Sequence, residues 1–385
     1  MAQQLQRARR YNREKERLQL LGMAVGLVAG ALVVFTGRGA DLRARVERQT
    51  GRGLAGRSAV VALFSLLGWL AGLPLSYYSG YVVEHRYDLS NQTHRAWAID
   101  QFKALGLGLA LEVPLVDGLY AIIGRWPRRW WAIVSAASIP LTVVMAQLFP
   151  VLIAPIFNKY EPLKDQELAQ RLKDLAARSG VRVADVLQMD MSRQTRKANA
   201  FFAGLGATKR IVLADTLLEN FTPEEIEYVV AHEIAHQAHG DIWRLVAVGS
   251  LFTVATSWVV DRLARRLLDH LGTRIGVANL ADIATLPLLG WLLSLAGVAL
   301  GPIQNAYSRA IERRADGFAF RLTRDPLSAA SGLERLAEVN LSDPEPPALV
   351  HYLLYSHPPV AERVEHARQF ARENALPVPP RLPTE

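Results

Sequence analysis

Six long runs with few or no charged residues constrain the fold of this 385-residue chain more than any other feature. A helix of about 20 apolar residues crosses the roughly 30 Å hydrocarbon core of a bilayer. Buried helices of a soluble protein explain one or two such runs but not six. The chain is therefore predicted to be a multi-pass membrane protein. The runs are Leu18–Thr36, Ser58–Val83, Ala104–Gly124, Trp131–Ile156, Val246–Val260 and Ile283–Asn305.

The polar segments between and after these runs indicate how the chain is organised. We expect an N-terminal transmembrane region of about four spans over residues 1–154 and a soluble insert over 155–241. Two further spans with their loop are expected over 242–308, a second soluble part over 309–374, and a disordered, Pro-rich tail over 375–385. The first run continues too far for a cleaved signal peptide, so we expect it to remain as a span.

The soluble insert has the patterns of helices beside a small β-sheet. Residues Asp165–Ser179 place leucines on one helical face, and Gly180 follows as a common helix end. Three short segments predict strands: Val181–Met191, Asn199–Gly204 and Arg210–Ala214. Together with the spans, these patterns predict a mainly α chain that contains one small sheet.

The next helix of the insert carries the candidate reactive residues. Thr222 as N-cap and Glu225 three residues later predict its start with a capping box. It contains the motif HEIAH, in which His232 and His236 at i and i+4 point in the same direction and can bind one zinc ion. Glu233 lies beside the metal, where a general base is needed. The chain has no cysteine, so a transition metal must be held by His, Asp or Glu.

A hydrolytic zinc site needs a third protein ligand, and the residues after the sixth run offer one. Glu312 and Asp316 are also spaced i and i+4, so Glu312 can bind metal while Asp316 orients a zinc-binding His through its other ring nitrogen. The HEIAH helix enters the fifth run and Glu312 follows the sixth, so two crossings bring both to one membrane face. His239 and Asp241 remain alternative third ligands.

Several segments resemble a known family of membrane enzymes. HEIAH followed by N-x-x-S-R-x-x-E-x-x-A-D at residues 305–316 resembles the gluzincin branch of integral-membrane zinc metallopeptidases. PIFNKYEPLKDQEL (155–168), ANAFFAG (198–204), YSHPPVAERV (355–364) and YDLSNQT (87–93) are similar to the type I CAAX prenyl protease family. This similarity covers nearly the whole chain. It implies a mainly α, multi-pass transmembrane helical protein with a gluzincin-like zinc-peptidase domain that contains a small β-sheet.

The resemblance implies roles for individual residues. Asn199 lies in a segment similar to the substrate-binding edge strand of thermolysin-like enzymes, to which a peptide adds as an extra strand. His357 and Arg363 match the family's H-P-x-x-x-x-R element, in which the His stabilises the oxyanion and the Arg contacts substrate. The residues implied to bind one zinc ion per chain, with Glu233 as the base, are His232, His236 and Glu312.

The resemblance also implies the substrate and the surroundings. The family cleaves C-terminally prenylated CAAX proteins, so the expected partners are a peptide or protein substrate of that lipid-modified class and membrane lipids. Glu112 and Asp117 in the third run are expected either to line the family's intramembrane chamber or to lie near a span end. The net charge of +8 does not indicate nucleic acid, because the arginines lie beside the spans, where they contact lipid headgroups.

An Arg-rich, Lys-poor composition with short loops is typical of a bacterial member, so we expect the bacterial inner membrane with the catalytic side in the cytoplasm. Charge does not decide the orientation, because nine basic residues lie on each side of the first four spans. Two features depart from the family. The chain has six runs where the family is described with seven spans, and Asp241 stands where some members carry His.

Two alternative functions fit part of the pattern. A membrane quality-control protease of the heat-shock type also contains HExxH, but it would be shorter and would lack the FNKYEPL segment at residues 157–163. A non-catalytic zinc-binding membrane protein is the alternative from another class. The presence of Glu233 argues against it, because a structural zinc needs no base.

Overall fold

The computed structural model describes residues 2–204 and 206–382, which form a mainly helical molecule with one small sheet, as predicted. The helices before the polar insert are α1 (Ala2–Phe35), α2 (Arg38–Thr50), α3 (Leu54–Tyr77), α4 (Val83–Arg86), α5 (His94–Arg125), α6 (Trp130–Leu148) and α7 (Ala154–Phe157). The insert contains β1 (Tyr160–Pro162), α8 (Gln166–Arg178), β2 (Asp185–Met189), β3 (Ala200–Ala203), β4 (Arg210–Ala214), α9 (Asp215–Asn220) and α10 (Pro223–Ala238). The remaining helices are α11 (Asp241–Leu271), α12 (Leu286–Thr323), α13 (Pro326–Asn340), α14 (Ala348–Leu354) and α15 (Val360–Glu373).

Within the described residues, six helical segments are long and apolar enough to cross a membrane, in agreement with the six runs. Two of them continue through π-helical turns, from α3 into α4 and from α6 into α7. Large apolar side chains such as Leu32 (60% exposed) and Leu251 (70%) lie on their surfaces, as expected for faces that contact lipid. The segments are Gln3–Phe35, Leu54–Arg86, His94–Arg125, Trp130–Phe157, Asp241–Leu271 and Ile283–Thr323.

The sheet has the strand order β1-β2-β4-β3, so β3 lies at one edge. The β2–β4 pair is parallel, while β1 and β3 each pair antiparallel with their neighbours. The three predicted strands are confirmed, although β2 is shorter than Val181–Met191 because the Val181 N–H donates to the Ala176 carbonyl and still belongs to the end of α8. Strand β1 was not predicted, since three residues that include a proline give no alternating pattern.

The insert has its own apolar core, formed by one face of the sheet, α8 and α10. The leucines that predicted an amphipathic α8 are buried, with Leu168 at 5%, Leu172 at 0% and Leu175 at 1% exposure. The long helix α12 leaves the membrane region and packs along α10, and its Ala319 and Phe320 join this core. The second soluble part of the chain is therefore joined to the insert by one continuous helix.

Helix α10 begins as the sequence predicts. The Thr222 side chain accepts a hydrogen bond from the Glu225 N–H at 3.3 Å, and the Glu225 carboxylate accepts one from the Thr222 N–H at 3.0 Å. The helix ends before Gly240, whose φ of 64° lies in the left-handed region that glycine adopts easily. This residue turns the chain from α10 directly into the fifth span.

The described part of the tail, residues 375–382, contacts the last helix. The Arg368 guanidinium donates a hydrogen bond to the Pro379 carbonyl, and Leu382 packs against the core of the insert. The final residues of the tail expected from the sequence, 383–385, lie outside the described residues.

Candidate metal centre

Three side chains that can bind metal converge where α10 and α12 pack together. His232 and His236 lie one helical turn apart on α10, and Glu312 faces them from α12. The Nε2 atoms of the two histidines are 3.3 Å apart, and the Glu312 oxygens lie 3.0 Å from Nε2 of His232 and 3.7 Å from Nε2 of His236. The packing of α12 against α10 thus brings together residues that are 76 or more positions apart in the sequence.

These distances suit one metal ion. Ligand atoms arranged tetrahedrally around zinc at about 2.0–2.1 Å lie about 3.3 Å from one another, close to the three observed separations. His232 and Glu312 are buried and His236 is partly exposed, so the group is open to solvent on the side of His236. The donor set of two imidazoles and one carboxylate, with an accessible side, therefore fits a hydrolytic zinc site.

Asp316 holds the ring of His232 from behind. Its Oδ1 atom lies 2.9 Å from Nδ1 of His232, and the hydroxyl of Tyr228 donates to the same oxygen at 3.1 Å. Arg363 donates to both oxygens, from Nε at 2.8 Å and from Nη2 at 2.6 Å. Burial opposes a charged His232, but its contacts with Asp316 and Glu312 raise its pKa to about 9. The surrounding carboxylates thus favour positive charge at this position.

Asp241 holds the ring of His236 in a similar way. Its Oδ2 atom lies 3.0 Å from Nδ1 of His236, and its Oδ1 atom accepts from the Arg314 guanidinium. Asp241 is 1% exposed, so its carboxylate, which faces the Arg314 guanidinium, is shielded from solvent. Each metal-facing histidine is therefore backed by an aspartate that an arginine neutralises in part.

The alternative third ligands do not join the group of converging ligand atoms. Asp241 contacts the far side of the His236 ring rather than the position that faces Glu312. His239 lies with its ring 5.2 Å from the Phe318 ring, edge to face. Of the candidates weighed from the sequence, Glu312 is the one that the structure places beside both histidines.

Glu233 follows His232 on α10 and lies beside the ligand cluster. Within the described part of the chain its carboxylate forms no hydrogen bond and no ion pair. Burial raises the pKa of Glu233, and the neighbouring Glu312 charge adds to the rise, while His232 and His236 oppose it. A carboxylate with a raised pKa beside the ligand cluster is a better proton acceptor than an ordinary surface glutamate.

His357 lies at the same site, in the loop between α14 and α15. Its Nε2 atom is 3.5 Å from Oε2 of Glu312, and its side chain is 62% exposed. Desolvation by the surrounding protein lowers the pKa of His357 against the attraction of Glu312, and the positive charge of Arg363 adds to the fall. A neutral imidazole carries one ring N–H that can donate to a bound substrate.

Arg363 and Asn199 lie at different depths. Arg363 is buried, and its Nε and Nη2 atoms are bound to Asp316. Its Nη1 atom forms no hydrogen bond with the residues that the structure describes, so a contact with substrate would have to use this atom. Asn199 is exposed just before the edge strand β3, and its carbonyl accepts from the Ala214 N–H at 3.0 Å. Helix α10 packs against this strand.

Two contacts at the site were not anticipated from the sequence. Tyr228 is four residues before His232 on α10, and this spacing was the available signal that both side chains share a face. Arg314 lies between Glu312 and Asp316 on α12, but nothing in the sequence shows that it reaches Asp241. Such pairings depend on how two distant helices pack.

Glu112 and Asp117 both have partners on α3. Asp117 is 9% exposed and accepts from Arg57 at 2.9 Å and from the Ser58 hydroxyl at 2.5 Å. Glu112 accepts from the Ser65 hydroxyl at 2.8 Å. The Asp117 carboxylate therefore faces protein, as expected for an acidic group within a span.

Two family models match the chain. Residues 162–371 match Peptidase family M48, and residues 1–159 match the CAAX prenyl protease N-terminal region, described as five membrane helices. Five helices of 13 or more residues lie in that segment, and four of them belong to segments long enough to span a membrane. The additional helix is α2.

Full-length relatives and a solved structure agree with these matches. The chain is 30% identical over 368 residues to the uncharacterized metalloprotease YhfN of Bacillus subtilis, covering 96% of this chain and 86% of that protein. It is 30% identical over 322 residues to CAAX prenyl protease 1 of Saccharomyces cerevisiae, covering 79% and 70%. The crystal structure of S. mikatae Ste24p superposes with a TM-score of 0.84 at 26% identity, covering 95% of this chain and 89% of that one.

Proposed function

Because the chain belongs to peptidase family M48 and is an integral, multi-pass membrane metallopeptidase, we propose that it is a zinc endopeptidase that cleaves membrane-associated polypeptides. The observation that carries the proposal is the Glu233 carboxylate beside the convergence of His232, His236 and Glu312, where no described residue forms a hydrogen bond or ion pair with it. A protein that only stores or carries zinc needs the three ligands but has no use for this fourth, proton-accepting group.

Zinc is the proposed metal because two imidazole nitrogens and one carboxylate oxygen form a ligand set that it commonly accepts in hydrolytic enzymes. When bound, zinc polarises the scissile carbonyl as a Lewis acid and lowers the pKa of water at the site. His232 and His236 would hold the metal through Nε2, because Asp316 and Asp241 occupy their Nδ1 sides.

Glu233 is proposed to move the proton. Its carboxylate takes a proton from the attacking water as the oxygen bonds to the scissile carbonyl carbon. It then gives this proton to the nitrogen of the leaving amine, and the C–N bond breaks.

His357 and Arg363 are proposed to bind the substrate near the reacting carbonyl. The His357 ring is exposed 3.5 Å from Glu312, so an N–H at its Nε2 atom can donate to the carbonyl oxygen as negative charge develops there. The free Nη1 atom of Arg363 is the group that can contact a substrate carbonyl, since Asp316 occupies Nε and Nη2.

The edge strand β3 is proposed to bind the peptide backbone. Asn199, Phe201 and Ala203 alternate with Ala200 and Phe202 along the segment, and Asn199 bonds toward β4. In an antiparallel pair the intervening residues direct their N–H and C=O groups to the opposite side. Ala200 and Phe202 therefore offer main-chain groups to an added strand, and the exposed Asn199 side chain lies at its start.

The substrates are proposed to be proteins held at the membrane, among them lipid-modified proteins of the CAAX type. The support is a relative named CAAX prenyl protease 1 and the short distance along the chain between the site and an apolar run. Glu312 lies seven residues beyond Asn305, the end of the last uncharged run. The side of the membrane that carries the site is proposed to face the cytoplasm of a bacterium. Residues 155–241 and 309–374 are proposed to form the peptidase part.

Cleavage of defined peptides tests the proposal. The full-length chain in detergent micelles is incubated with a farnesylated CAAX-type peptide and with the same peptide lacking the lipid, and mass spectrometry identifies the bond cleaved. We expect internal cleavage that stops when phenanthroline removes the metal and returns when zinc is added. An unfolded membrane protein is the third substrate. A zinc-loaded chain that cleaves none of the three would favour the non-catalytic alternative. Equal cleavage of all three would favour the quality-control protease.

A further inference from the structure

The loop that carries His357 is held by the helix that carries Glu312. Among the residues that the structure describes, the His357 ring forms one hydrogen bond, with the Ser356 hydroxyl 3.0 Å from its Nδ1 atom. The ring is largely exposed, so side-chain packing does not fix its position. Its distance from Glu312 must therefore depend on the backbone of residues 355–359, between α14 and α15.

Two side chains of α12 bind carbonyls of α14 and of Tyr355, the residue that leads from α14 into that loop. Arg309 donates from Nη1 to the Tyr355 carbonyl at 2.6 Å and to the His351 carbonyl at 3.4 Å. Asn305 donates from Nδ2 to the Leu353 carbonyl at 2.9 Å. The last carbonyls of a helix have no partner within it, so the bonds to the Leu353 and Tyr355 carbonyls satisfy the end of α14 from outside. The His351 ring then donates to the carbonyl of His357 itself at 2.9 Å.

The spacing on α12 places these groups on one face. Asn305, Arg309 and Glu312 are at i, i+4 and i+7, within about 60° of one another around a helix. The side that presents Glu312 to the histidines therefore also carries the two anchors of the His357 loop. One rigid helix sets the position of both.

Arg309 is used in an unusual way for a buried cation. It is 6% exposed, yet it forms no ion pair with a carboxylate in the described part of the chain. Its hydrogen bonds go to the His351 and Tyr355 carbonyls. Its guanidinium also lies 5.9 Å from the centre of the Tyr352 ring on α14. A buried guanidinium is costly unless its donors are satisfied, and here the Nη1 atom donates to main-chain carbonyls that lead into the His357 loop.

We propose that Arg309 and Asn305 are positioning residues for His357, holding its loop at the distance from Glu312 that the reaction requires. The proposal rests on the proposed function, in which His357 contacts the substrate carbonyl. A shift of about 1 Å in such a group can reduce a rate by about 100-fold. Arg309 therefore affects the chemical step without touching the substrate.

A double-mutant cycle between Arg309 and His357 tests the proposal in the full-length, zinc-loaded chain, with the farnesylated CAAX-type peptide as probe. We expect Arg309→Met to lower kcat by about 10- to 100-fold, with KM and zinc content nearly unchanged. In a His357→Ala background the same change should cost less than about 2-fold, because the group it positions is absent. Arg309→Lys should restore part of kcat, and Arg321→Met, an exposed change on the same helix, should alter neither value.

The outcomes separate this proposal from the proposed function. The positioning role alone would be overturned if Arg309→Met lowered kcat equally in the parent chain and in the His357→Ala background. It would also be overturned if Arg309→Met lowered kcat in neither background while His357→Ala itself lowered kcat. Wild-type kcat in His357→Ala would instead refute the role of His357. Hydrogen–deuterium exchange gives a readout without a substrate: residues 351–358 should exchange faster in Arg309→Met and in the milder Asn305→Ala, with α10 unchanged. Unaltered exchange in that loop in both variants would contradict the proposal.

Discussion

The Nδ1 atom of His232 lies 2.9 Å from Oδ1 of Asp316, and this contact decides which nitrogen of the ring faces Glu312. Asp316 is 0% exposed, and Arg363 binds both of its oxygens. The charge of the buried carboxylate is thereby compensated, which a group at this depth requires. The orientation of one metal-facing ring thus depends on residues from α10, α12 and α15.

Replacing Asp316 should weaken metal binding without removing a ligand. Asp316→Asn keeps the size of the side chain but removes the charge that holds His232, and we expect zinc affinity to fall about 10- to 100-fold. Competition with a fluorescent chelator measures the affinity. Asp174→Asn, an exposed change on α8, is the control. Equal affinity in the two variants would argue against a role for Asp316 at the metal.

Asp241 should matter in the same way, and His239 should not. Because Asp241 holds the His236 ring, Asp241→Asn is expected to reduce zinc affinity by about 10-fold or more. His239→Ala removes a ring that contacts Phe318 outside the ligand group, so affinity should stay within about 2-fold of the parent. The same chelator competition measures both affinities. A loss of zinc affinity in His239→Ala but not in Asp241→Asn would indicate His239 as the third ligand.

Glu312→Ala should abolish stoichiometric zinc. Two histidines alone leave a hydrolytic site one ligand short, so metal analysis after purification and dialysis should find far less than one zinc per chain. Glu362→Ala, which removes the surface partner of Arg313 one helix away, is the matched control and should retain its metal. Full retention of zinc in Glu312→Ala would exclude Glu312 as the third ligand.

The capping box of α10 should contribute to stability. Thr222→Ala removes the oxygen that accepts from the Glu225 N–H, and we expect the free energy of unfolding to fall by about 1 kcal/mol. Thermal unfolding of the zinc-loaded chain in one detergent measures the change. Thr222→Ser keeps the oxygen and should remain close to the parent. A Thr222→Ala chain as stable as Thr222→Ser would show that the cap contributes little here.

The sequence predicted those features whose signals are local. Six apolar runs, the leucine face of α8 and the Thr222–Glu225 capping box each lie within one segment, and each is present in the structure. The His232–His236 spacing and the return of Glu312 to the same membrane face follow from helix geometry and an even number of crossings, and the three side chains lie together.

Features that depend on packing between distant segments were not predictable in the same way. The pairing of Arg314 with Asp241 and the two bonds from Arg363 to Asp316 require the final arrangement of α10, α11, α12 and α15. A motif names such residues but does not show that a guanidinium is buried. For this reason the expected substrate contact of Arg363 narrows to its Nη1 atom.

The most direct measurement of the central claim is peptide cleavage by Glu233→Gln, made alongside its zinc content. The account predicts one zinc per chain, because Glu233 is not a ligand, and a cleavage rate lower by about 10²- to 10⁴-fold, because the proton acceptor is lost. Glu224→Gln, the same change at an exposed position in the first turn of α10, should cleave at the parent rate. Parent-level cleavage by a zinc-loaded Glu233→Gln chain would contradict the claim that this is a zinc peptidase with Glu233 as its base.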